Sequence, residues 1–138
     1  MYPPHLTQPM AAELEDNGFQ GLHSVEEVDA VMTKESGTVL MVVNSVCGCA
    51  AGAARPGVVH AIKTSGKLPD TLATVFAGVD IEATKKARAY MLPYPPSSPS
   101  IGLFKDGRLV HMIERHHIEG RPAEMISASL VAAFDEYC

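Results

Sequence analysis

Two cysteines separated by one residue, Cys47-Gly48-Cys49, are the part of this sequence best equipped for chemistry. Paired thiols can exchange electrons with a disulfide or hold a soft metal ion. A structural staple is a poor explanation, because a bridge between near neighbours closes almost no loop and hardly restrains the unfolded chain. A disulfide spanning a single residue is also expected to be strained, which favours the dithiol as the resting form.

The pair follows Thr38-Val39-Leu40-Met41-Val42-Val43-Asn44, a continuous apolar and β-branched run suited to a central parallel strand covered on both faces. An Ala-rich helix is expected next, over 49–65, with Pro56 kinking it from within. Cys47 therefore lies where a strand gives way to a helix. The unpaired N–H groups and partial positive charge of a helix start stabilise a thiolate. A thiol so placed falls from a pKa of about 8.5 into the range of roughly 3.5–7.5. Cys47, the outer residue, reads as the nucleophile, and Cys49, one turn further in, as the residue that resolves a mixed disulfide. Gly48 is expected to supply the unusual backbone angles that bring the sulfurs together. Ala50, Ala51, Gly52, Ala53 and Ala54 keep the surroundings small enough for a bulky thiol adduct.

Other readings of the same residues stay open. Cys47 and Cys49 with His60, His111, His116 or His117 would make a metal centre, and the protein a non-enzymatic metal- or redox-sensing module. Zinc signatures use two spaced pairs, whereas this chain has one pair with a one-residue gap, so no metal ligand is assigned. Two small buried thiols in a purely structural role are a further alternative. Arg55 supports the thiolate or is a solvated, ion-paired side chain, and Asn44 and Ser45 position substrate or satisfy buried groups. His116 and His117 read as surface residues, and Tyr90 and Tyr94 as packing. Cys138, the third cysteine, reads as a free thiol on a frayed terminus or a secondary exchange partner.

The elements that must position the pair follow from periodicity. A helix over 6–17 carries Leu6, Met10 and Leu14 and stops at Gly18. A second starts at the capping box Ser24-Val25-Glu26-Glu27 and buries Val25, Val28, Val31 and Met32. After the Ala-rich helix come a buried strand over 71–80, a helix over 81–91 and an irregular Pro-rich loop over 93–99. Strands at 101–104 and 108–115 flank Lys105-Asp106-Gly107, a strong hairpin signal, and a helix over 122–137 closes the chain. The order predicts an α/β domain over 1–138, a central mixed β-sheet flanked by helices, with extra N-terminal helices.

Composition narrows the function. A chain of 138 residues is long enough to bury its own core without disulfides. With 11 basic against 16 acidic residues and a net charge of −5, no nucleic-acid partner is expected. The longest apolar runs are too short to cross a bilayer, and the start lacks the flank of a signal peptide, so no membrane and a cytoplasmic location are expected.

Asn44-Ser45-Val46-Cys47-Gly48-Cys49-Ala50-Ala51-Gly52 with Ala54-Arg55-Pro56 resembles the signature of the bacilliredoxin family. The resemblance extends to Gln8-Pro9-Met10 and Glu26-Glu27-Val28 and covers the whole chain. It implies a thioredoxin-like fold and a thiol–disulfide oxidoreductase with no bound cofactor. The co-substrate would be a low-molecular-weight thiol, bacillithiol, and the partners thiol-modified or disulfide-bonded proteins. In the family the N-terminal cysteine attacks the mixed disulfide, which carries over to Cys47, with Cys49 as resolver. A disulfide isomerase role is a close variant. The fold also implies a cis-proline beside the site, and Ser98-Pro99 occupies that place, its backbone free to pair with an extended substrate. Gly48, Ser98, Pro99 and Arg55 are thus the expected substrate-binding residues. The single residue between the cysteines departs from thioredoxin, which has two.

Overall fold

In the computed structural model, which describes residues 2–138, the chain forms α1 (Pro4–Glu15), β1 (Gln20–Gly21), α2 (Val25–Met32) and β2 (Thr38–Asn44). A π-helical turn (Ala50–Ala54) runs into α3 (Arg55–Thr64), followed by β3 (Thr71–Phe76) and α4 (Ile81–Tyr90). The hairpin of β4 (Ser100–Lys105) and β5 (Arg108–Ile113) precedes α5 (Arg115–Ile118) and α6 (Ala123–Tyr137).

The five strands form one mixed sheet in the order β1-β3-β2-β4-β5. Strands β1 and β2 run parallel to β3, while β4 is antiparallel to both β2 and β5. The apolar run of β2 is buried along its whole length, as a central strand requires. Alternation assigns its side chains to two cores. Leu40 and Val42 join Val58, Ala61, Leu130 and Phe134 of α3 and α6 on one face. Val39, Met41 and Val43 join Val28 and Val31 of α2 and Ala83 and Ala87 of α4 on the other.

Local signals account for several element ends. Ser24 Oγ accepts the Glu27 N–H at 3.1 Å, as the capping box predicts, but the Glu27 carboxylate returns to the His23 N–H at 3.0 Å instead of to that of Ser24. Asp106 and Gly107 both adopt positive φ, 50° and 80°, which is what a tight hairpin turn demands. Gly18, at φ 96°, ends the first helical segment where expected. Helices α1 and α2 both precede the central strand, as expected, with β1 between them.

Two expectations need correction. The strand expected over 71–80 ends at Phe76, since Gly78 at φ 86° turns the chain toward α4. Pro56 does not kink the interior of one continuous helix. The backbone widens just ahead of it, with the Arg55 N–H reaching the Ala50 carbonyl, and Pro56 falls in the first turn of α3, where no N–H is needed. Two short elements lack a sequence signal, because neither the two residues of β1 nor the four of α5 display a period.

Candidate active site

The chain leaves β2 through a closed polar network. Asn44, the last residue of the strand, is buried, and its Oδ1 accepts the Ser45 N–H at 2.8 Å. Its Nδ2 donates to the Met10 carbonyl of α1 at 3.2 Å. Arg55 Nη1 donates to Asn44 Oδ1 at 3.0 Å and to the Ser45 carbonyl at 2.8 Å, while its Nε pairs with the Glu13 carboxylate. Ser45 Oγ accepts the Cys47 N–H at 2.9 Å. Asn44 and Ser45 therefore satisfy buried backbone groups. Arg55 is ion-paired but not solvated, being only 3% exposed.

Cys47 and Cys49 are half-buried and joined by a disulfide, with their Cα atoms 5.3 Å apart. The backbone of this turn thus brings the two sulfurs within bonding reach. Helical bonding begins at Cys47, whose carbonyl accepts the Ala50 N–H at 2.9 Å and the Ala51 N–H at 3.2 Å. The Cys49 N–H points at the Cys47 sulfur, with N···Sγ 3.4 Å. A donor aimed at one sulfur favours negative charge on that sulfur.

Gly48 does not work as expected. It is not among the residues with positive φ, and a Cβ built on it meets nothing within 4 Å. Of the small residues that follow, Ala50, Ala53 and Ala54 are core, so only Ala51 and Gly52 keep the outer surface low. Beside them a groove of about 240 Å³ runs between α1 and the helix, lined by Glu13, Asn17, Ala51, Arg55, Pro56 and Val59.

The Ser98–Pro99 peptide bond is cis, as is Leu92–Pro93, which the sequence did not single out. Ser100 lies opposite Val43 in the sheet, which brings Pro99 alongside the end of β2. Two arginines missed by the sequence reading hold this loop. Arg88 Nη2 donates to the Ser97 carbonyl at 3.5 Å, and Arg115 Nη1 to the Ser98 carbonyl at 3.3 Å. They come from α4 and α5, so no local motif marks them, and only the tertiary fold brings them together. Helix α5 itself packs against the π-helical turn after Cys49.

The remaining candidates lie elsewhere. His60 Nδ1 bonds Ser127 Oγ at 2.8 Å, and His111 Nε2 bonds Ser129 Oγ at 3.0 Å. Among the described residues, one group of ligand-type side chains lies close enough to share an ion: Glu114, His116 and His117. It includes neither cysteine. Glu114 and His117 already cap each other, the Glu114 N–H donating to His117 Nδ1 at 3.1 Å. His116 and His117 are exposed, as expected. Cys138 is a free, exposed thiol in contact with Thr38, at the opposite end of β2 from Cys47. Burial nonetheless pushes its pKa up.

Comparison with known proteins agrees with this architecture. The family model described as Disulphide isomerase matches residues 2–138. A bacilliredoxin of Cytophaga hutchinsonii is 60% identical over 136 residues, covering 99% of each chain. One of Geobacillus kaustophilus is 50% identical over 137 residues, covering 99% of this chain and 94% of its own. Among solved structures, a mutant thioredoxin from Halobacterium salinarum superposes with a TM-score of 0.60 at 18% identity, covering 88% of this chain and 91% of its own. That similarity establishes the thioredoxin fold. No helix among the described residues is long and apolar enough to cross a membrane. Identity of this extent, over nearly the whole of both chains, makes the protein a member of the bacilliredoxin family and a thiol–disulfide oxidoreductase.

Proposed function

We propose that this protein reduces mixed disulfides between cytoplasmic proteins and a low-molecular-weight thiol, bacillithiol being the thiol that the relatives' name suggests. The observation that carries this reading is the Cys49 N–H directed at the Cys47 sulfur at 3.4 Å, which favours Cys47 as the thiolate. The Cys47 thiolate attacks the sulfur of the small thiol, and the target protein leaves as a thiolate that takes up a proton. Cys47 then carries the small thiol. Cys49, as thiolate, attacks the Cys47 sulfur and expels the small thiol, leaving the Cys47–Cys49 disulfide present in the structure. Two electrons have passed from the cysteine pair to the mixed disulfide. A further thiol or dithiol returns them, so the co-substrate is consumed and no bound cofactor is required.

In this reading Gly48 leaves room for the adduct, and Ser98 and Pro99 border it. Arg55 acts indirectly, by holding the loop that carries Cys47. The test uses Cys49→Ser, reduced and mixed with a bacillithiol-modified protein. Mass spectrometry should find the small thiol on Cys47, with the target released as free thiol. An adduct found on Cys138 of this variant instead, or no transfer at all, overturns the reading. The description Disulphide isomerase favours a second role, rearrangement of wrong protein disulfides. That role predicts recovery of activity when the reduced protein is incubated with a scrambled disulfide substrate, and the Cys49→Ser form should retain it.

A further inference from the structure

The N-terminal segment and the β3–α4 loop enclose a cavity of about 480 Å³ that the exchange chemistry leaves unused. Tyr2, Phe76 and Val79 supply its apolar wall, and Glu15, His23 and Asp80 its polar one. The backbone holds these side chains in place. The Tyr2 ring packs on Gly78, where a Cβ would lie 2.6 Å from Tyr2 Cε2. A Cβ on Gly21 would run into the Glu15 carboxylate and lie 3.3 Å from His23 Nε2, so glycine lets that carboxylate rest over β1 beside the imidazole. Asp80 stands at the N-cap of α4, yet its side chain caps nothing. Its Oδ1 meets His23 Nδ1 at 2.9 Å instead, with the carboxylate only 13% exposed.

The charges around this cavity do not balance. Glu15, Asp80 and Glu27 all act on the one imidazole, and among the described residues no lysine or arginine lines the wall. Even a protonated His23 leaves the carboxylates in surplus. A cation on an apolar stem fits both walls, its head against the carboxylates and its stem against the rings. Lysine and arginine side chains have that form.

The cavity also lies at the working end of the sheet. Phe76 is opposite Asn44, and the Ala77 N–H donates to the Asn44 carbonyl at 3.0 Å. A narrow recess that shares Glu15 and Asp80 reaches Asn44 itself, three residues before Cys47. A protein segment whose cysteine is engaged at Cys47 can reach the cavity with a neighbouring residue, since two to six residues of extended chain span about 7–20 Å.

We propose that this cavity is a docking site for a lysine or arginine side chain of the protein whose mixed disulfide is reduced. The inference rests on the exchange reading above and adds to it the charge of the partner segment.

The experiment uses peptides with one cysteine carrying 2-mercaptoethanol as the mixed disulfide. A single lysine, glutamine or glutamate is placed in turn from two to six residues away on either side. Second-order reduction rates are measured for the full-length reduced protein and for Glu15→Gln, Asp80→Asn and Glu35→Gln. Glu35 is exposed ahead of β2, at the other end of that strand from Cys47, and controls for the net charge. At the best position the wild type should reduce the lysine peptide about threefold to tenfold faster than its glutamine counterpart, and the glutamate peptide more slowly. Glu15→Gln and Asp80→Asn should lose most of that advantage, while Glu35→Gln keeps it. The glutamine peptide is the internal reference, because a variant that misfolds loses both rates together. Exposed Glu15 is the safer of the two substitutions. Lysine no better than glutamine at every position overturns the proposal. An advantage undiminished in both cavity variants, or diminished equally in Glu35→Gln, also overturns it. A wild type that reduces none of the peptides overturns the exchange reading, and the inference falls with it.

Discussion

Arg55, from the first turn of α3, donates to the Asn44 side-chain oxygen at 3.0 Å and so ties this helix to the end of the central strand. The same nitrogen reaches the Ser45 carbonyl at 2.8 Å, and the Glu13 carboxylate of α1 balances the charge. Three elements therefore meet on one guanidinium, which reaches the chain at Ser45, two residues before Cys47. Arg55→Ala leaves Asn44 Oδ1 and the Ser45 carbonyl short of a donor in a buried place. It should cost about 2–3 kcal/mol in urea denaturation. Arg55→Lys should recover part of this, keeping the pair with Glu13 but not the fork. The Glu13 side chain is 51% exposed, so Glu13→Gln should cost less than Arg55→Ala. An Arg55→Ala protein that unfolds at the wild-type urea concentration would show that the network contributes nothing.

Two glycines near the site should respond in opposite directions to alanine. A Cβ on Gly57 would lie 2.7 Å from Ile126 Cβ and 2.9 Å from the Ala123 carbonyl, where α3 crosses α6. Gly57→Ala should be destabilising by about 1–3 kcal/mol despite the better helix propensity of alanine. A Cβ on Gly52 meets nothing within 4 Å. Gly52→Ala should leave stability unchanged or raise it by up to about 1 kcal/mol. Thermal melts of the two variants against wild type decide both, and a Gly57→Ala protein as stable as Gly52→Ala would mean that the helices move apart freely.

The contrast between these glycines shows what a sequence can and cannot carry. The β2 run, the Ser24 cap and the Asp106-Gly107 turn are local: each depends on residues within a few positions, and each forms where its pattern lies. Cys47 and Cys49 were legible for the same reason, and the signature around them carried the fold as well. The expectation for Gly48 failed because the whole turn sets the backbone angles there, and this turn needs no positive φ at that position. Arg88, Arg115 and Glu13 were invisible because their partners are contributed by other elements, Arg115 reaching back 17 residues to Ser98 and Glu13 reaching across 42 to Arg55.

A weak pH dependence of stability should arise at the far edge of the sheet. His23 Nδ1 lies 2.9 Å from Asp80 Oδ1. That hydrogen bond, with the negative charge of Asp80, Glu27 and Glu15, raises the His23 pKa against the opposing effect of burial. A folded-state pKa above the unfolded value means that the folded protein binds the proton more tightly. The contribution is therefore complete below the unfolded value of about 6.5 and is lost as pH rises through the folded one. Because the ring is largely exposed, the effect should stay below about 1 kcal/mol. Urea denaturation at pH 5.5 and pH 8.5 should show it in the wild type and lose it in His23→Gln. Equal pH dependence in the two proteins would assign it elsewhere.

The two kinds of thiol should separate cleanly in an alkylation experiment. Cys138 touches Thr38 at the start of β2, while Cys47 follows its other end, so a seven-residue strand of about 20 Å lies between them. No exchange between them within one molecule is geometrically open. Burial raises the Cys138 pKa, so its thiolate is scarce at neutral pH. Cys47 has the Cys49 N–H directed at its sulfur and the start of a helix beyond it. Limiting iodoacetamide at pH 7 should therefore label Cys47 first in the reduced protein, with half-maximal rate below about pH 8.5, the value of an ordinary thiol. Cys138→Ser should leave both this profile and the rate of mixed-disulfide reduction as they are. Labelling that begins at Cys138, or turnover lost with Cys138, would move the chemistry to the wrong end of the strand.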